Sequence, residues 1–504
     1  MANHLFDAIR SSIPSSEAVL IETGEGRIWT YGAMLECSAR IANALVQLGV
    51  AAGDRVAAQV DKSAEALMLY FGCVRAGAVY LPLNNGYTPA ELDYFVSDAT
   101  PKLIVVPPQT AERLAPVADK VGAALETLGT RGEGTLMALA NAQPASFSDV
   151  ERQAGDLAAI LYTSGTTGRS KGAMLTHDNL LSNASVLKDY WRFTSADRLI
   201  HALPIFHTHG LFVATNVTLL AGSSMFLLDR FDVAQIFALM PRATAMMGVP
   251  TFYTRLLQDE RLCEAATKHI RLFISGSAPL LAETHRSFHE RTGHAILERY
   301  GMTETNMITS NPYDGARLPG SVGYALPSVS VRVADPATGA PLAAGEPGMI
   351  EVKGPNVFRG YWNMPEKTKE EFRADGHFIT GDIGIIAADG RVSIVGRGKD
   401  LIISGGYNIY PKEIENEIDA MPGVVESAVV GVPHPDFGEG VTAVVVRQEN
   451  AQIDAKTIMS GLKGRLARFK QPKYVIFVDD LPRKTMGKVQ KNILRDQYRD
   501  LFTK

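Results

Sequence analysis

The sequence predicts an α/β protein in two parts: a large N-terminal domain of layered α/β subdomains with a β-rich closing segment, and a small α+β C-terminal domain. Helix and strand patterns alternate through the first hundred or so residues, and this order favours parallel strands covered by helices. The chain has 504 residues, more than one hydrophobic core usually serves. The C-terminal part carries its own Val-rich strand patterns, which indicate a second folding unit.

Local capping signals place the helices of the first part. Thr30 precedes apolar residues at helical spacing and Gly49 follows the last of them, so a helix is expected between these two residues. Ser63 is expected to cap a second helix. The sequence Thr-Pro-Ala-Glu at 88–91 is a capping box with proline at the first helical position. Strands are expected at 55–60, 78–83 and 103–106.

The second part of the chain is expected to be richer in strands. Short alternating runs of Val, Gly and Pro at 329–353 predict β structure that closes the large domain. The glycine-containing segment at 396–399 comes just after the strand-like run RVSIVG. We place the domain boundary there, with domains at 1–398 and 399–504. The C-terminal domain should contain strands in GEGVTAVVVRQ and KYVIFVDDL, with a helix at about 458–467 between them.

Composition narrows the class of function. A net charge of -4 argues against a nucleic-acid-binding surface built on bulk charge. Cys37, Cys73 and Cys263 have no CxxC spacing, so neither a disulfide framework nor a zinc site is expected. Because no apolar run is long enough to cross a bilayer and the amino terminus does not read as a signal peptide, we expect a cytoplasmic protein.

A loop rich in glycine and hydroxyl groups is the strongest functional signal. Residues 162–172 read YTSGTTGRSKG, after an apolar strand at 157–161 and before a helix expected to start near Asp178. Its backbone N–H groups, its hydroxyls and the cations Arg169 and Lys171 are suited to holding a triphosphate. The spacing is not that of a Walker A loop, and a solvated loop without a ligand is the alternative interpretation.

Further motifs follow this loop in chain order. Together they resemble the signature motifs of the adenylate-forming superfamily, which includes acyl-CoA synthetases, carrier-protein-loading adenylation domains and luciferases. The resemblance covers almost the whole chain. The motifs are LPIFHTHG at 203–210, SGSAP at 275–279, ERYGMTE at 298–304, GD at 381–382, GRGKD at 396–400, SGGYNIYP at 404–411 and PRKTMGK at 482–488.

This resemblance implies which residues hold the nucleotides. Tyr300 is expected to stack on adenine, Thr303 to contact the α-phosphate, Glu304 to bind Mg²⁺ and Asp382 to bind the ribose. A single carboxylate suits Mg²⁺, which completes its shell with phosphate oxygens and water. The residues expected to bind ATP or coenzyme A are Thr163, Ser164, Gly165, Thr166, Thr167, Gly168, Gly276, Ser277, Ala278, Glu298, Tyr300, Gly301, Asp382, Arg397, Lys399, Gly405 and Gly406.

The resemblance also implies a reaction in two steps. In the first, Lys488 bridges the substrate carboxylate and the α-phosphate, while Arg169, Lys171 and Mg²⁺ offset the charge of the leaving pyrophosphate. The mobile small domain then swings about Lys399 and brings in the loop at 405–406, so that the thiol of coenzyme A accepts the acyl group. A protein acetyltransferase acting on Lys488 would remove the charge that the first step needs.

The acid is expected to be a short dicarboxylate. The FHTHG variant, which contains His207 and His209, and Arg255 in GVPTFYTR resemble malonyl-CoA synthetases, so malonate is favoured and methylmalonate is the next candidate. Arg255 would pair with the second carboxylate of the acid. His209 is equally well a structural histidine, and Arg286 is a rival cation expected on a helix exterior. The other residues expected at the acid are Ser275 and Met302.

Other functions remain open at this point. They are a monocarboxylate or aryl acyl-CoA synthetase, a carrier-protein-loading adenylation enzyme, a luciferase-like oxygenase and a non-catalytic nucleotide-binding regulator. An amino-acid-activating enzyme would need an aspartate in the stretch that Phe206 and His207 occupy, and we find no carrier-domain serine motif. Lys488, Glu304 and Asp382 together count against the regulator.

Overall fold

The computed structural model describes residues 3–163, 170–404, 407–463, 465–484 and 487–502. It confirms the predicted α/β class, with layered sheets and a small C-terminal unit. The helices are α1 His4–Ser11, α2 Tyr31–Gln47, α3 Ala64–Arg75, α4 Pro89–Ala99, α5 Ala111–Val121, α6 Thr135–Asn141, α7 His177–Tyr190, α8 Asn216–Leu220, α9 Val233–Leu239, α10 Pro250–Leu257, α11 Glu264–Thr267, α12 Ala282–Thr292, α13 Pro365–Glu370, α14 Pro411–Asp419, α15 Ala455–Leu462 and α16 Lys491–Gln497.

The strands are distributed over the same described residues. They are β1 Val19–Thr23, β2 Ile28–Thr30, β3 Arg55–Ala58, β4 Val79–Pro82, β5 Leu103–Val106, β6 Ala124–Thr127, β7 Leu157–Thr163, β8 Lys171–Thr176, β9 Arg198–His201, β10 Ser224–Leu227, β11 Ala245–Gly248, β12 Leu272–Ser275, β13 Leu297–Met302, β14 Asn306–Ser310, β15 Tyr324–Ala325, β16 Ser330–Ala334, β17 Gly348–Lys353, β18 Gly360–Tyr361, β19 Phe378–Ile386, β20 Val392–Arg397, β21 Ile402–Ser404, β22 Tyr407–Ile409, β23 Val424–His434, β24 Gly438–Arg447 and β25 Tyr474–Val478.

Two large sheets form the body of the protein. One has the strand order β18-β8-β7-β4-β3-β5-β6, and the other has the order β15-β14-β13-β12-β11-β9-β10-β1-β2. The strands from β7 to β6 in the first sheet and from β13 to β1 in the second run parallel, as the alternating sequence predicts. Helix α3 is buried at every position, which is typical of a helix enclosed in a core. One hydrophobic core contains residues of both sheets.

The capping signals act as the sequence predicts. The side chain of Thr30 accepts a hydrogen bond from the backbone N–H of Ala33 at the start of α2, and that of Ser63 accepts one from Ala66 at the start of α3. The capping box at 88–91 is formed, with both of its hydrogen bonds present. Each cap satisfies a backbone donor that the first helical turn leaves unpaired. The sequence therefore fixes these helix starts locally.

A four-stranded antiparallel sheet closes the large domain. Its order is β16-β17-β19-β20, which confirms the predicted β structure at 329–353 and extends it. Asp382 on β19 pairs in register with Arg397 on β20. This pairing of consecutive strands brings two of the predicted nucleotide-binding residues together.

The small C-terminal sheet has the order β22-β21-β24-β23, with β25 parallel to β24. The predicted helix at 458–467 is placed too late, because α15 covers Ala455–Leu462. Asp454 caps that helix by accepting a hydrogen bond from the backbone N–H of Thr457, and the chain turns extended at Lys463. The capping residue Asp454 would have indicated the correct start of this helix. Among the described residues, no helix is both long and apolar enough to cross a membrane.

The closing sheet depends on one buried carboxylate, which yields a stability prediction. Glu351 on β17 is fully buried and pairs with Arg332 and Arg373, each with an N–O distance of 2.7 Å. We expect Glu351→Gln to lower the free energy of unfolding of the large domain by about 3 kcal/mol, because both guanidiniums lose their buried partner. Urea unfolding followed by tryptophan fluorescence measures this change. The control is Glu283→Gln, which removes an exposed pair with Arg286 and should have little effect.

Candidate active site

The glycine-rich loop connects two antiparallel strands. Strand β7 ends at Thr163 and β8 begins at Lys171, with Tyr162 opposite Gly172. The helix expected to start near Asp178 begins at His177, and between it and the loop lies β8, a strand that the sequence analysis did not predict. The predicted contacts Ser164, Gly165, Thr166, Thr167, Gly168 and Arg169 lie outside the described residues.

Lys171 lies at the base of the loop and is already engaged. Its Nζ is 2.9 Å from Oε1 of Glu371 and 4.1 Å from the centroid of the Tyr361 ring. The Tyr361 hydroxyl donates to Oε1 of Glu304 at 3.1 Å or to Oε2 of Glu371 at 3.2 Å. These contacts bring the predicted phosphate-binding lysine and the predicted magnesium ligand to one place. Burial raises the pKa of Glu304, which disfavours its charged form until a cation compensates it.

A tight turn presents Thr303 and Glu304 at this place. It links β13 to β14, and a Cβ added at Gly301 would lie 2.0 Å from the carbonyl oxygen of Asn306. Only glycine fits such a close approach of two backbone segments. Met302 is the last residue of β13, and its N–H donates to Oγ1 of Thr305 at 3.3 Å.

The residues expected at the ribose form one network. The Tyr300 hydroxyl donates to Oδ2 of Asp382 at 2.5 Å, and Nε of Arg397 lies 2.7 Å from Oδ1 of the same carboxylate. Burial, together with Asp382, holds the pKa of Tyr300 well above its usual value. Glu298 is buried two residues before Tyr300. Its Oε1 accepts a hydrogen bond from Leu280 N–H at 3.2 Å, and burial raises its pKa to about 7.

The histidine motif lines the other side of the site. His207, Phe206, Tyr162 and Thr303 are among the residues around a cavity of about 40 Å³, so the base of the loop, the histidine motif and the threonine turn converge there. Burial lowers the pKa of His207 to about 4, which keeps the ring neutral. Nδ1 of His209 is 3.2 Å from Oγ of Ser277, whereas its Nε2 is buried without a partner among the described residues.

One residue of the site escaped the sequence analysis. Arg299 on β13 is 3% exposed, and its Nε and Nη2 have no hydrogen-bond partner in the part of the chain that the structure describes. It lies across Gly276, where an added Cβ would be 2.4 Å from its Cζ. Burial lowers the pKa of Arg299 to about 9, and Arg299 in turn helps to hold the pKa of His209 down. Ser275, adjacent to Gly276, also has a buried hydroxyl without a partner among these residues. The sequence did offer a signal for Arg299, namely a charged residue inside the strand that contains ERYGM.

The environment of Arg255 differs from the one that the sequence analysis assumed. It is on α10 as expected, but its side chain is exposed, so the argument from a desolvated guanidinium does not apply to it. Arg286 is exposed on α12 and pairs with Glu283 at 2.8 Å, which agrees with the expected helix exterior. The buried cation beside the predicted acid-binding segments is therefore Arg299 and not Arg255.

The C-terminal residues reach the same region. Gly487 has a φ of +79°, and a Cβ added there would lie 3.2 Å from Cγ2 of Thr251 on α10. Burial lowers the pKa of the adjacent Lys488 to about 8, with Arg397 adding to the effect and Asp382 opposing it. Lys399 lies in the short helical turn Gly398–Asp400, and burial lowers its pKa. The predicted contacts Gly405 and Gly406 lie outside the described residues.

Comparison with known proteins identifies the family to which this chain belongs. The AMP-binding enzyme family matches residues 10–362, and the AMP-binding enzyme C-terminal domain matches residues 413–488. The crystal structure of ATP-bound MatB from Rhodopseudomonas palustris is 63% identical over the full length of both chains, with a TM-score of 0.98.

Two curated relatives extend the comparison. A feruloyl-CoA synthase from an Amycolatopsis species is 37% identical over 494 residues, covering 97% of this chain and 98% of the relative. The mitochondrial malonate–CoA ligase ACSF3 of Mus musculus is 37% identical over 457 residues, covering 84% of this chain and 78% of the relative. The resemblance that the sequence motifs indicated is thus confirmed along almost the whole chain. This protein belongs to the AMP-binding enzyme family, within the adenylate-forming superfamily.

Proposed function

We propose that this protein is an ATP-dependent acid–thiol ligase that joins malonate to coenzyme A through a malonyl-adenylate. The buried guanidinium of Arg299, whose Nε and Nη2 have no hydrogen-bond partner among the described residues, is the observation that carries the dicarboxylate assignment. The relatives support the reaction class, since one is named a malonate–CoA ligase and another a feruloyl-CoA synthase. The three cysteines are free thiols, which suits the reducing cytoplasm as the proposed location.

In the first step, a carboxylate oxygen of the acid attacks the α-phosphorus of ATP and the bond to pyrophosphate breaks. Lys488 is the cation proposed to bridge the attacking carboxylate and the α-phosphate, because Arg397 and Asp382 both act on its pKa and therefore lie near it. Lys171 is proposed to leave Glu371 for the β- and γ-phosphates, together with Arg169. Asp382, Arg397 and Tyr300 are proposed to hold the ribose and the adenine.

Magnesium is proposed at Glu304. The donor set fits, because Mg²⁺ takes few protein carboxylates and completes its shell with phosphate oxygens and water. Glu304 is buried, and the hydroxyl of Tyr361 lies 3.1 Å from one of its oxygens. When bound, the ion would supply positive charge against the leaving pyrophosphate.

In the second step, the sulfur of coenzyme A attacks the acyl carbon and AMP leaves. We propose that the small domain, with its boundary at 398/399, turns about Lys399, withdraws Lys488 and brings the loop at 405–406 to the acyl-adenylate. We also propose that acetylation of Lys488 by a protein acetyltransferase would block the first step by removing its charge.

The second carboxylate of the acid is proposed to pair with Arg299. An arginine fork binds a carboxylate through two charge-assisted hydrogen bonds, and the Nε and Nη2 of Arg299 are the donors still free among the described residues. His209 and Ser277 lie beside this charge. A monocarboxylate or aryl acid would leave the buried guanidinium uncompensated, so the alternative acyl-CoA synthetases are less well supported. The exposed Arg255 is proposed to attract the acid from outside.

The role of Lys488 separates the two half-reactions. We expect Lys488→Ala to abolish malonyl-adenylate formation, because the two reacting anions lose their shared cation, and to leave the conversion of supplied malonyl-adenylate to malonyl-CoA within a few-fold of normal. Pyrophosphate release measures the first half-reaction and thioester formation measures the second. Equal loss of both would contradict the assignment of Lys488.

The lowered pKa of Lys488 predicts a pH dependence. Because only the ammonium form can bridge the two anions, kcat/KM for malonate in pyrophosphate release should fall as the pH rises through about 8, the pKa of Lys488 in the free enzyme. The conversion of supplied adenylate should instead rise over this range, since the coenzyme A thiol ionises there. The same falling limb in both half-reactions would argue against Lys488 as its origin.

The two arginines can be ranked by their burial. We expect Arg299→Met to lower kcat/KM for malonate by roughly 10²–10³-fold, because a buried carboxylate would lose its partner. Arg255→Ala should raise the KM for malonate by a smaller factor, because an exposed charge is screened by solvent. The KM for ATP should change little in either variant. If Arg255→Ala proved the more damaging, the second carboxylate would belong at Arg255.

A further inference from the structure

Backbone hydrogen bonds close the short hairpin that carries Lys488. Lys484 N–H donates to the carbonyl oxygen of Lys488 at 2.9 Å, and Gly487 N–H donates to that of Lys484 at 2.8 Å. A single bridge pairs Arg483 with Val489 at its base. A short two-stranded hairpin is only marginally stable on its own. Side chains around it therefore contribute to fixing its position.

Arg483 supplies that support from inside the small domain. Its Nη1 donates to the carbonyl oxygen of Gly487 at 2.9 Å, directly beside Lys488, and its Nη2 pairs closely with Glu426. The Arg483 carbonyl oxygen accepts a hydrogen bond from Nε2 of Gln490 at 3.1 Å. Both partners of the ion pair are largely buried, with side-chain exposures of 25% and 18%. One guanidinium thus ties the residue next to Lys488 to a carboxylate more than fifty positions earlier.

Glu426 lies on a long strand of the small sheet. It lies on β23, which pairs with β24 over nearly its whole length. Several valines of these strands, among them Val429 and Val445, are completely buried. The arginine fork can serve the carboxylate and the carbonyl together, which a lysine cannot do with the same geometry.

We infer that Arg483, held by Glu426, is a positioning residue that fixes the reach of Lys488 during adenylate formation. It does not contact substrate, and acts by holding the Gly487–Lys488 segment at a set distance from the small sheet. A catalytic group displaced by about 1 Å can lose about 10²-fold in rate. The inference rests on the proposed role of Lys488, and it goes further by assigning the placement of that lysine to a named pair.

The alternative is that the pair only stabilises the small domain. A merely stabilising pair would affect both half-reactions alike, since both need a folded small domain. A positioning pair would affect the first half-reaction alone, since Lys488 is proposed to act only there. The two half-reactions of the intact chain therefore distinguish these roles.

The test measures both half-reactions in full-length Arg483→Met, Glu426→Gln and the double variant. We expect pyrophosphate release with malonate and ATP to fall by about 10–100-fold in each. The double variant should be scarcely worse than either single one, because the residues act as a unit. Conversion of supplied malonyl-adenylate to malonyl-CoA should stay within about twofold of the unmodified protein. Arg483→Lys, which keeps the charge but not the fork, should recover part of the first half-reaction.

The matched control is Arg465→Met, which removes an exposed ion pair with Glu417 in the same domain and should leave both half-reactions unchanged. A parallel fall of both half-reactions in the Arg483 and Glu426 variants, or no fall in either, would overturn the inference. If Lys488→Ala itself retained adenylate formation, the proposed function would fail first. If Lys488→Ala lost adenylate formation while the Arg483 and Glu426 variants kept it, only this inference would fail.

Discussion

The site is organised by the need to bring two anions together. Two of the cations expected at the nucleotide already have carboxylate partners in the large domain: Lys171 is 2.9 Å from Glu371, and Arg397 is 2.7 Å from Asp382. A cation that is already paired adds little net attraction for another anion. Lys488, by contrast, forms no ion pair within the described part of the chain. In the proposed mechanism, Lys488 of the small domain therefore supplies the uncompensated charge for the reacting carboxylate and phosphate, and the first step requires the two domains to meet.

Much of this arrangement could be predicted from local sequence. The caps at Thr30, Ser63 and Thr88 identify helix starts because a cap is a contact between residues two or three apart. Short apolar runs identified several strands, among them β3, β4, β5 and β24, for the same reason. The motifs named most of the residues that meet around Thr303 and Asp382. None of this required knowledge of distant contacts.

The rest could not be predicted because it depends on contacts between distant residues. Strand β8, between the loop and α7, was not predicted, because its pairing with β7 is what defines it as a strand. Glu371 reaches Lys171 across two hundred positions of sequence. Arg255 and Arg299 are the same residue type. Only the packing of α10 and β13 leaves Arg255 exposed and buries Arg299. Burial, which decides their chemistry, is a property of the fold.

If the second carboxylate pairs with Arg299 as proposed, selection of the acid follows from the free-energy cost of burying that charge. Burial lowers the pKa of Arg299 to about 9 because the charged guanidinium has lost its water without gaining a carboxylate. The second carboxylate of a dicarboxylic acid would replace the hydration that the guanidinium loses on burial. A monocarboxylate would leave this desolvation cost uncompensated. A methyl group changes binding in an apolar pocket by only about 1–3 kcal/mol, while a missing buried charge partner typically costs about 3–5 kcal/mol. A site built around this arginine should therefore discriminate by charge first and by size second, which favours dicarboxylates as a class over any single member of it.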